Sequence, residues 1–224
     1  QSGLVVGLNK DHWTFASIDD NTKPASTITF AQSPRTVGAY TVKSANVYMH
    51  YKAYEGAAEV DRCSSDADHA NHDWYLTEVT ELPVSISAAG YATFFAPVAV
   101  EVDGVTAHTV TVDGESAILS EALTVIPANT GVVLKGAAGT YNFAITTADA
   151  FEGENLMAGT VAKTLVAKEN TECYVLANGA EGVGLYAAVK GEGETKDVTK
   201  FYNAGHKAYL VVAKNANPAA QYSF

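Results

Sequence analysis

A two-residue rhythm, interrupted every few positions and with almost no helical periodicity beside it, constrains this chain more than any other feature. Short runs rich in β-branched and aromatic residues fall at 27–30, 39–43, 47–51, 75–79, 92–95 and 107–112. Others lie at 123–126, 131–135, 141–145, 173–176, 183–188 and 208–212. Gly, Asn, Asp and Pro separate them, the punctuation that ends strands and builds turns. In 107–113 (AHTVTVD) the valines fall on one face and the threonines on the other, as in a half-buried antiparallel strand. Asp113-Gly114 lies between two such runs and predicts a hairpin turn. Only 147–160 (TADAFEGENLMAGT) leaves room for a helical turn. The rhythm predicts an all-β protein.

A chain of 224 residues has room for one large domain or two modest ones. Composition changes near residues 80–84. Both tryptophans (Trp13, Trp74) and four histidines (His12, His50, His69, His72) precede that point, and Ala, Gly, Val and Thr strands come after it. Two domains are therefore expected, 1–81 and 82–224. The formal charge of −11 is spread over both. An acidic surface without a basic stripe repels phosphate backbones and anionic lipid, which argues against nucleic acid and membrane surfaces as partners. No apolar run approaches the ~20 residues of a membrane-spanning helix. The start at Gln1 fits a trimmed exported chain as well as a cytosolic one. Cys63 and Cys173 fall in different domains, so two small buried thiols are expected rather than a disulfide framework.

Motifs for chemistry fail in context. Gly182, Gly184 and Ala187 match the letters of a dinucleotide fingerprint, but no amphipathic helix comes next to receive a pyrophosphate, so a strand is expected there. Asp66, Asp68, His69, His72 and Asp73 gather metal-capable groups in one turn. The carboxylates suit calcium and the histidines suit zinc or copper, yet the spacing matches neither an EF-hand nor a closed zinc site. A solvated turn accounts for the composition, and no metal is assigned. Glu115, Glu121, Glu152 and Glu154 sit between strands, and nothing pairs two of them as acid and base. No catalytic residue and no cofactor is assigned, and an enzyme is not expected.

Binding is a different matter. Sugar recognition needs an aromatic face for the C–H side of a pyranose and polar groups to pair its hydroxyls. Residues 48–74 supply both through Tyr48, Tyr51, Tyr54, His50, Asp61, Arg62, Asn71 and His72. Alternation along 47–51 puts Val47, Met49 and Tyr51 on one face and Tyr48 and His50 on the other, and one of those faces must be core. The candidate carbohydrate site is Tyr54, Asp61, Arg62, His72 and Trp13. Ordinary exposed turns are the competing account, with Asp61 and Arg62 as a surface pair worth under ~1 kcal/mol.

A weak internal repeat runs through the first part. The stretches ASTITFAQ from Ala25 and HDWYLTEV from His72 occupy equivalent places. The unit formed by Tyr40-Thr-Val-Lys, Tyr48-Met-His-Tyr, Ser64-Ser-Asp and Trp74-Tyr-Leu resembles a ricin-type β-trefoil repeat. In that family an aromatic residue precedes the closing strand, often as Gln-x-Trp; here Trp74 stands at that place and His72 replaces the Gln. The likeness implies a carbohydrate-binding trefoil, N-terminally incomplete, with LVVG from Leu4 in the latter half of an earlier repeat. It also implies that Trp74 is core.

The second part resembles an accessory module near the C-termini of large secreted or surface proteins of gut bacteria, glycan-degrading enzymes among them. The likeness rests on GYATFFAP from Gly90, IPANTGVVLKG from Ile126 and GHKAYLV from Gly205. Gly90 and Gly131 are expected to open strands, Pro127-Ala-Asn129 to form a bend and Tyr209-Leu-Val to fill a core. The expectation is an antiparallel β-sandwich or barrel behind a partial trefoil. Functionally it is a non-catalytic carbohydrate-binding region of a larger secreted or outer-surface bacterial protein, with a glycan as partner and any sugar held before Pro83. The alternative is a spacer or protein-interaction module that binds no sugar.

Overall fold

The computed structural model describes residues 4–9, 12–17, 28–44, 47–54, 57–63, 72–75, 79–191, 197–214 and 219–224; within 4–28 and 44–63 it describes backbone alone, except at Tyr48. Every named element is a strand, and the chain divides into two compact units, Gly3–Glu78 and Val79–Phe224. The stretch 147–160 holds no helical turn: it is irregular up to a strand at Met157–Thr160. The segment 75–79 is not strand at the residues described. Trp74 instead forms an isolated bridge with Tyr40, and Tyr75 is exposed.

Six strands build the first unit: β1 (Leu4–Asn9), β2 (His12–Ser17), β3 (Ile28–Gln32), β4 (Tyr40–Ser44), β5 (Val47–Tyr54) and β6 (Ala57–Cys63). They form one antiparallel sheet in the order β1-β2-β6-β5-β4-β3. The loop between β3 and β4 is tied to itself: Ser33 N donates to the Ala39 carbonyl at 2.9 Å, and Ala39 N to that of Thr36 at 3.1 Å. Gly38 turns the chain at φ 80°, a left-handed conformation that glycine adopts without steric cost. The interior gathers Ala39, Thr41, Val42, Tyr48 and His72, all buried.

The second unit begins with β7 (Glu81–Ile86), β8 (Tyr91–Phe94), β9 (Ala99–Glu101), β10 (Thr106–His108), β11 (Val110–Asp113), β12 (Ser116–Leu119), β13 (Val125–Ile126) and β14 (Val132–Lys135). It continues with β15 (Gly139–Thr146), β16 (Met157–Thr160), β17 (Thr164–Ala167), β18 (Thr171–Gly179), β19 (Gly182–Ala187), β20 (Lys200–Asn203), β21 (Lys207–Ala213) and β22 (Gln221–Ser223). The fingerprint-like glycines thus lie in a strand, β19.

These strands stack as a layered β-sandwich. Sheet β10-β14-β8 lies between sheet β13-β9-β15-β7 and the seven-stranded sheet β11-β12-β22-β19-β18-β21-β16. A ribbon, β17-β20, covers the far face of the large sheet through Phe201 and Val166 against Cys173 and Tyr209. A strand with cores on both sides needs apolar residues at every position. β14 meets that need with Val132 and Leu134 in one core and Val133 in the other, all fully buried. Tyr209 and Leu210 likewise fill cores on opposite faces of the large sheet.

The run 107–113 has the alternation of one strand but forms two. Ala107 on β10 packs in the first core and Val110 on β11 in the second. The chain changes sheet at Thr109, which exchanges hydrogen bonds with Ser120: Thr109 N donates to Ser120 Oγ and Ser120 N to the Thr109 carbonyl, both at 3.0 Å. The hairpin after Asp113 forms as expected, with Asp113 opposite Ser116 and Gly114 at φ 58°. Pro127-Ala-Asn129 bends with Asn129 at φ 60°. Asn155 ties three backbone segments together: its Oδ1 accepts from Val110 N and Met157 N, while its Nδ2 donates to the Gly131 carbonyl.

Candidate functional site

Register divides four of the five sequence-derived residues between the two faces of the sheet. On β6, Asp61 sits opposite His50 of β5 and His12 of β2, while Arg62 sits opposite Met49. Neighbouring positions alternate between faces, so Asp61 and Tyr54 belong to the face of Tyr48, and Arg62 and Trp13 to the other. The side chains of Tyr54, Asp61, Arg62 and Trp13 lie outside the described residues, as do Asp66, Asp68, His69 and Asn71.

His72 is described, and it is fully buried. Its ring stacks on Tyr48 with centroids 5.1 Å apart and planes 15° from parallel, while Lys43 Nζ lies 5.2 Å from the Tyr48 centroid. This corrects the expectation of a polar group at a binding rim: the imidazole packs against an aromatic ring inside the unit. Tyr48 itself is buried. Asp73 closes the cluster by accepting hydrogen bonds from the hydroxyls of Ser33 and Thr36. Those bonds, with the Arg35 charge behind them, hold its carboxyl below the ordinary 3.8. These contacts fasten the β3–β4 loop. They build structure rather than a pocket.

A hollow lies in the second unit, where the sequence shows no polar cluster. It encloses about 410 Å³ and draws on Ser85 of β7, Tyr91 and Thr93 of β8, Val175 of β18, Tyr202 and Asn203 of β20, and Lys207. A smaller hollow of about 160 Å³ shares Ser87, Tyr91 and Leu176 with it and adds Asn178 and Val183.

Local chemistry fixes each wall. Gly90 turns at φ 79° and donates to the Ser87 carbonyl at 3.0 Å, and β8 begins at the next residue. Ser87 Oγ donates to the Tyr91 carbonyl at 3.4 Å. Opposite, the buried Asn203 donates through Nδ2 to Thr160 Oγ1 and to the Lys207 carbonyl, both at 2.8 Å. His206, at φ 55°, donates its N–H to the Thr160 carbonyl at 2.8 Å, and its own carbonyl accepts from Phe95 N at 3.2 Å. The backbone that presents Lys207 is held on both sides.

The main hollow's lining supplies hydroxyls, one carboxamide and one ammonium, with no carboxylate, thiol or imidazole. Such a surface pairs hydroxyls and holds an anion. Burial pushes the Lys207 ammonium pKa down, because desolvation disfavours the charged form. Tyr91 stacks on Phe224 at 5.2 Å and 7° and has Lys135 Nζ 5.7 Å from its centroid. Tyr202 is 51% exposed and has Lys163 and Lys190 at 5.2 and 5.3 Å from its centroid. The signal in the sequence was faint: an aromatic–amide pair, Tyr202-Asn203, a few residues from Lys207, with the opposite wall over a hundred positions away. No family model, curated protein or solved structure matches the chain.

Proposed function

We propose that this chain is a non-catalytic carbohydrate-binding region of a larger secreted or cell-surface protein. The observation that carries this reading is the cleft between β8, β18 and β20, where Ser85, Ser87, Thr93, Tyr91, Tyr202 and Asn203 line a hollow free of carboxylates. Hydroxyl and amide groups recognise the hydroxyls of a sugar through hydrogen bonds, and the volume suits a mono- or disaccharide unit. On this reading the site moves from the first unit to the second. The ricin-type likeness of the first unit then concerns its fold, with β1–β6 as part of a trefoil.

A second reading, a spacer or protein-interaction module, draws on the two tyrosines. The rings of Tyr91 and Tyr202 already carry Phe224 and lysine neighbours, which leaves less open aromatic face for a pyranose. Glycan-array screening and then calorimetry on the full chain separate the two. Saturable binding that weakens in Asn203→Ala and Tyr202→Ala supports the sugar site, and the absence of binding to any glycan supports the spacer.

A further inference from the structure

We propose that the cleft takes an anionic glycan, a sugar bearing a carboxylate or a sulfate, with Lys207 at the charged group and Lys163 and Lys190 reinforcing it beside Tyr202. This rests on the carbohydrate reading above and adds the charge class of the ligand.

Positive charge is scarce in this chain. Its net charge is −11, so an unpaired lysine has many acids to choose from. Lys168 reaches Glu172 at 3.4 Å and the Ala188 carbonyl at 2.7 Å, and Lys200 reaches Asp197 at 3.0 Å. Among the described residues no carboxylate forms an ion pair with Lys163, Lys190 or Lys207. Two of these three sit over one ring, that of Tyr202, and the third shares the cleft wall with it. Lys163 and Lys190, both beside the Tyr202 ring, repel one another, and an incoming anion relieves that repulsion. Lys207 gains most, since it is partly desolvated already and a charge-assisted hydrogen bond is stronger where water is scarce.

The walls favour a sugar over an acidic peptide. An extended peptide adding to the edge strand β8 would meet two groups already engaged, Phe95 N by the His206 carbonyl and the Tyr91 carbonyl by Ser87 Oγ. Thr93 Oγ1 accepts from Ala208 N, which fixes the hydroxyl rather than freeing backbone. The hydroxyls of Ser85, Ser87 and Tyr202 also line the cleft, and those match a polyol.

Calorimetry on the full chain tests this with a panel of uronic-acid, sialylated and sulfated oligosaccharides, their neutral counterparts and a poly-glutamate peptide. An acidic glycan should bind at least about tenfold more tightly than its neutral counterpart. Its affinity should fall as salt rises from about 50 to 300 mM, where the screening length shortens. Lys207→Gln should weaken binding about tenfold, equivalent to about 1.4 kcal/mol. The double variant Lys163→Gln/Lys190→Gln should weaken it less, and Lys214→Gln, an exposed lysine outside the cleft, should leave it unchanged. Circular dichroism confirms that each variant is folded. Equal affinity for neutral and acidic partners, or no effect of Lys207→Gln in a folded variant, overturns the charge assignment while leaving the carbohydrate reading in place. Poly-glutamate binding as tightly as the acidic glycan overturns it in favour of a peptide. Failure of every glycan, charged and neutral, overturns both readings.

Discussion

The described contacts of the two units differ in kind. In Val79–Phe224 the strands lie in stacked sheets, and β14 is buried on both faces by Val132, Val133 and Leu134. Aromatic edges add to the packing: Phe94 meets Phe143 across two sheets at 5.6 Å and 86°, and Tyr174 meets Tyr222 within the large sheet at 4.8 Å and 82°. Burial this deep pushes the Tyr174 hydroxyl up to about 12, and it donates to the Ala219 carbonyl at 2.9 Å. In Gly3–Glu78 the described contacts are polar or mixed: Asp73 on Ser33 and Thr36, His72 on Tyr48, Lys43 over the same ring. Apolar burial scales with area and tolerates small shifts, whereas a carboxylate holding two hydroxyls depends on charge and geometry. The second unit should therefore answer to side-chain volume and the first to pH.

The largest effect should come from emptying the shared core. Phe94→Ala removes a ring that is 2% exposed and should cost about 3–5 kcal/mol. A denaturant melt monitored by tyrosine signal and by amide exchange in β14 would show it. A loss below about 1 kcal/mol would mean that the layers do not share that ring.

Filling space comes next. A Cβ on Gly159 would lie 2.3 Å from the Phe95 ring, so Gly159→Ala forces that ring or β16 to move, at about 1–3 kcal/mol. The expected readout is a lower melting temperature, restored in part by Phe95→Leu. No shift would mean that Phe95 yields freely.

The polar clamp should give a smaller change, and only in the first unit. Both tryptophans, Trp13 and Trp74, belong to Gly3–Glu78, so tryptophan fluorescence reports this unit alone. Asp73→Asn should lower that transition by about 1 kcal/mol at neutral pH and leave the tyrosine transition of the second unit in place. The pH dependence has a definite sign. Asp73 is held below 3.8 in the folded protein, so its stabilisation is complete above the ordinary carboxylate range and is lost as pH falls below that value. The wild-type fluorescence midpoint should drop from about pH 4 downward, and the Asn variant should lack that part of the drop. Identical acid limbs would remove Asp73 from the account.

The smallest effect belongs to Lys200→Ala. Its pair with Asp197 lies in solvent, with the side chains 40% and 30% exposed, so no resolvable shift in melting is expected.

Much of the fold was legible in the residues. The turn at Gly114 and the bend at Asn129 depend on near neighbours, and both formed as the sequence implied, as did most of the strand rhythm outside 75–79 and 107–112. Adjacent apolar positions also marked β14, although alternation could not tell that 107–113 serves two cores. That distinction needs the identity of the facing layer, and no residue within the run carries it. The candidate site was hardly legible. His72 looked available because it sits in a polar stretch, yet Tyr48 covers it. The cleft joins Ser85 to Lys207 across the chain and leaves no motif.

Sequence alone determined that this protein is built of β-strands, because the two-residue period and the turn residues act over a few bonds and outweigh any helical pattern. Tertiary structure alone decided that Tyr48 on β5 is buried, where the chain changes sheet at Thr109, and that the polar cleft lies in the second unit. Those outcomes depend on which distant surfaces exclude water against each other, and that choice is made by the packed whole rather than by any local run of residues.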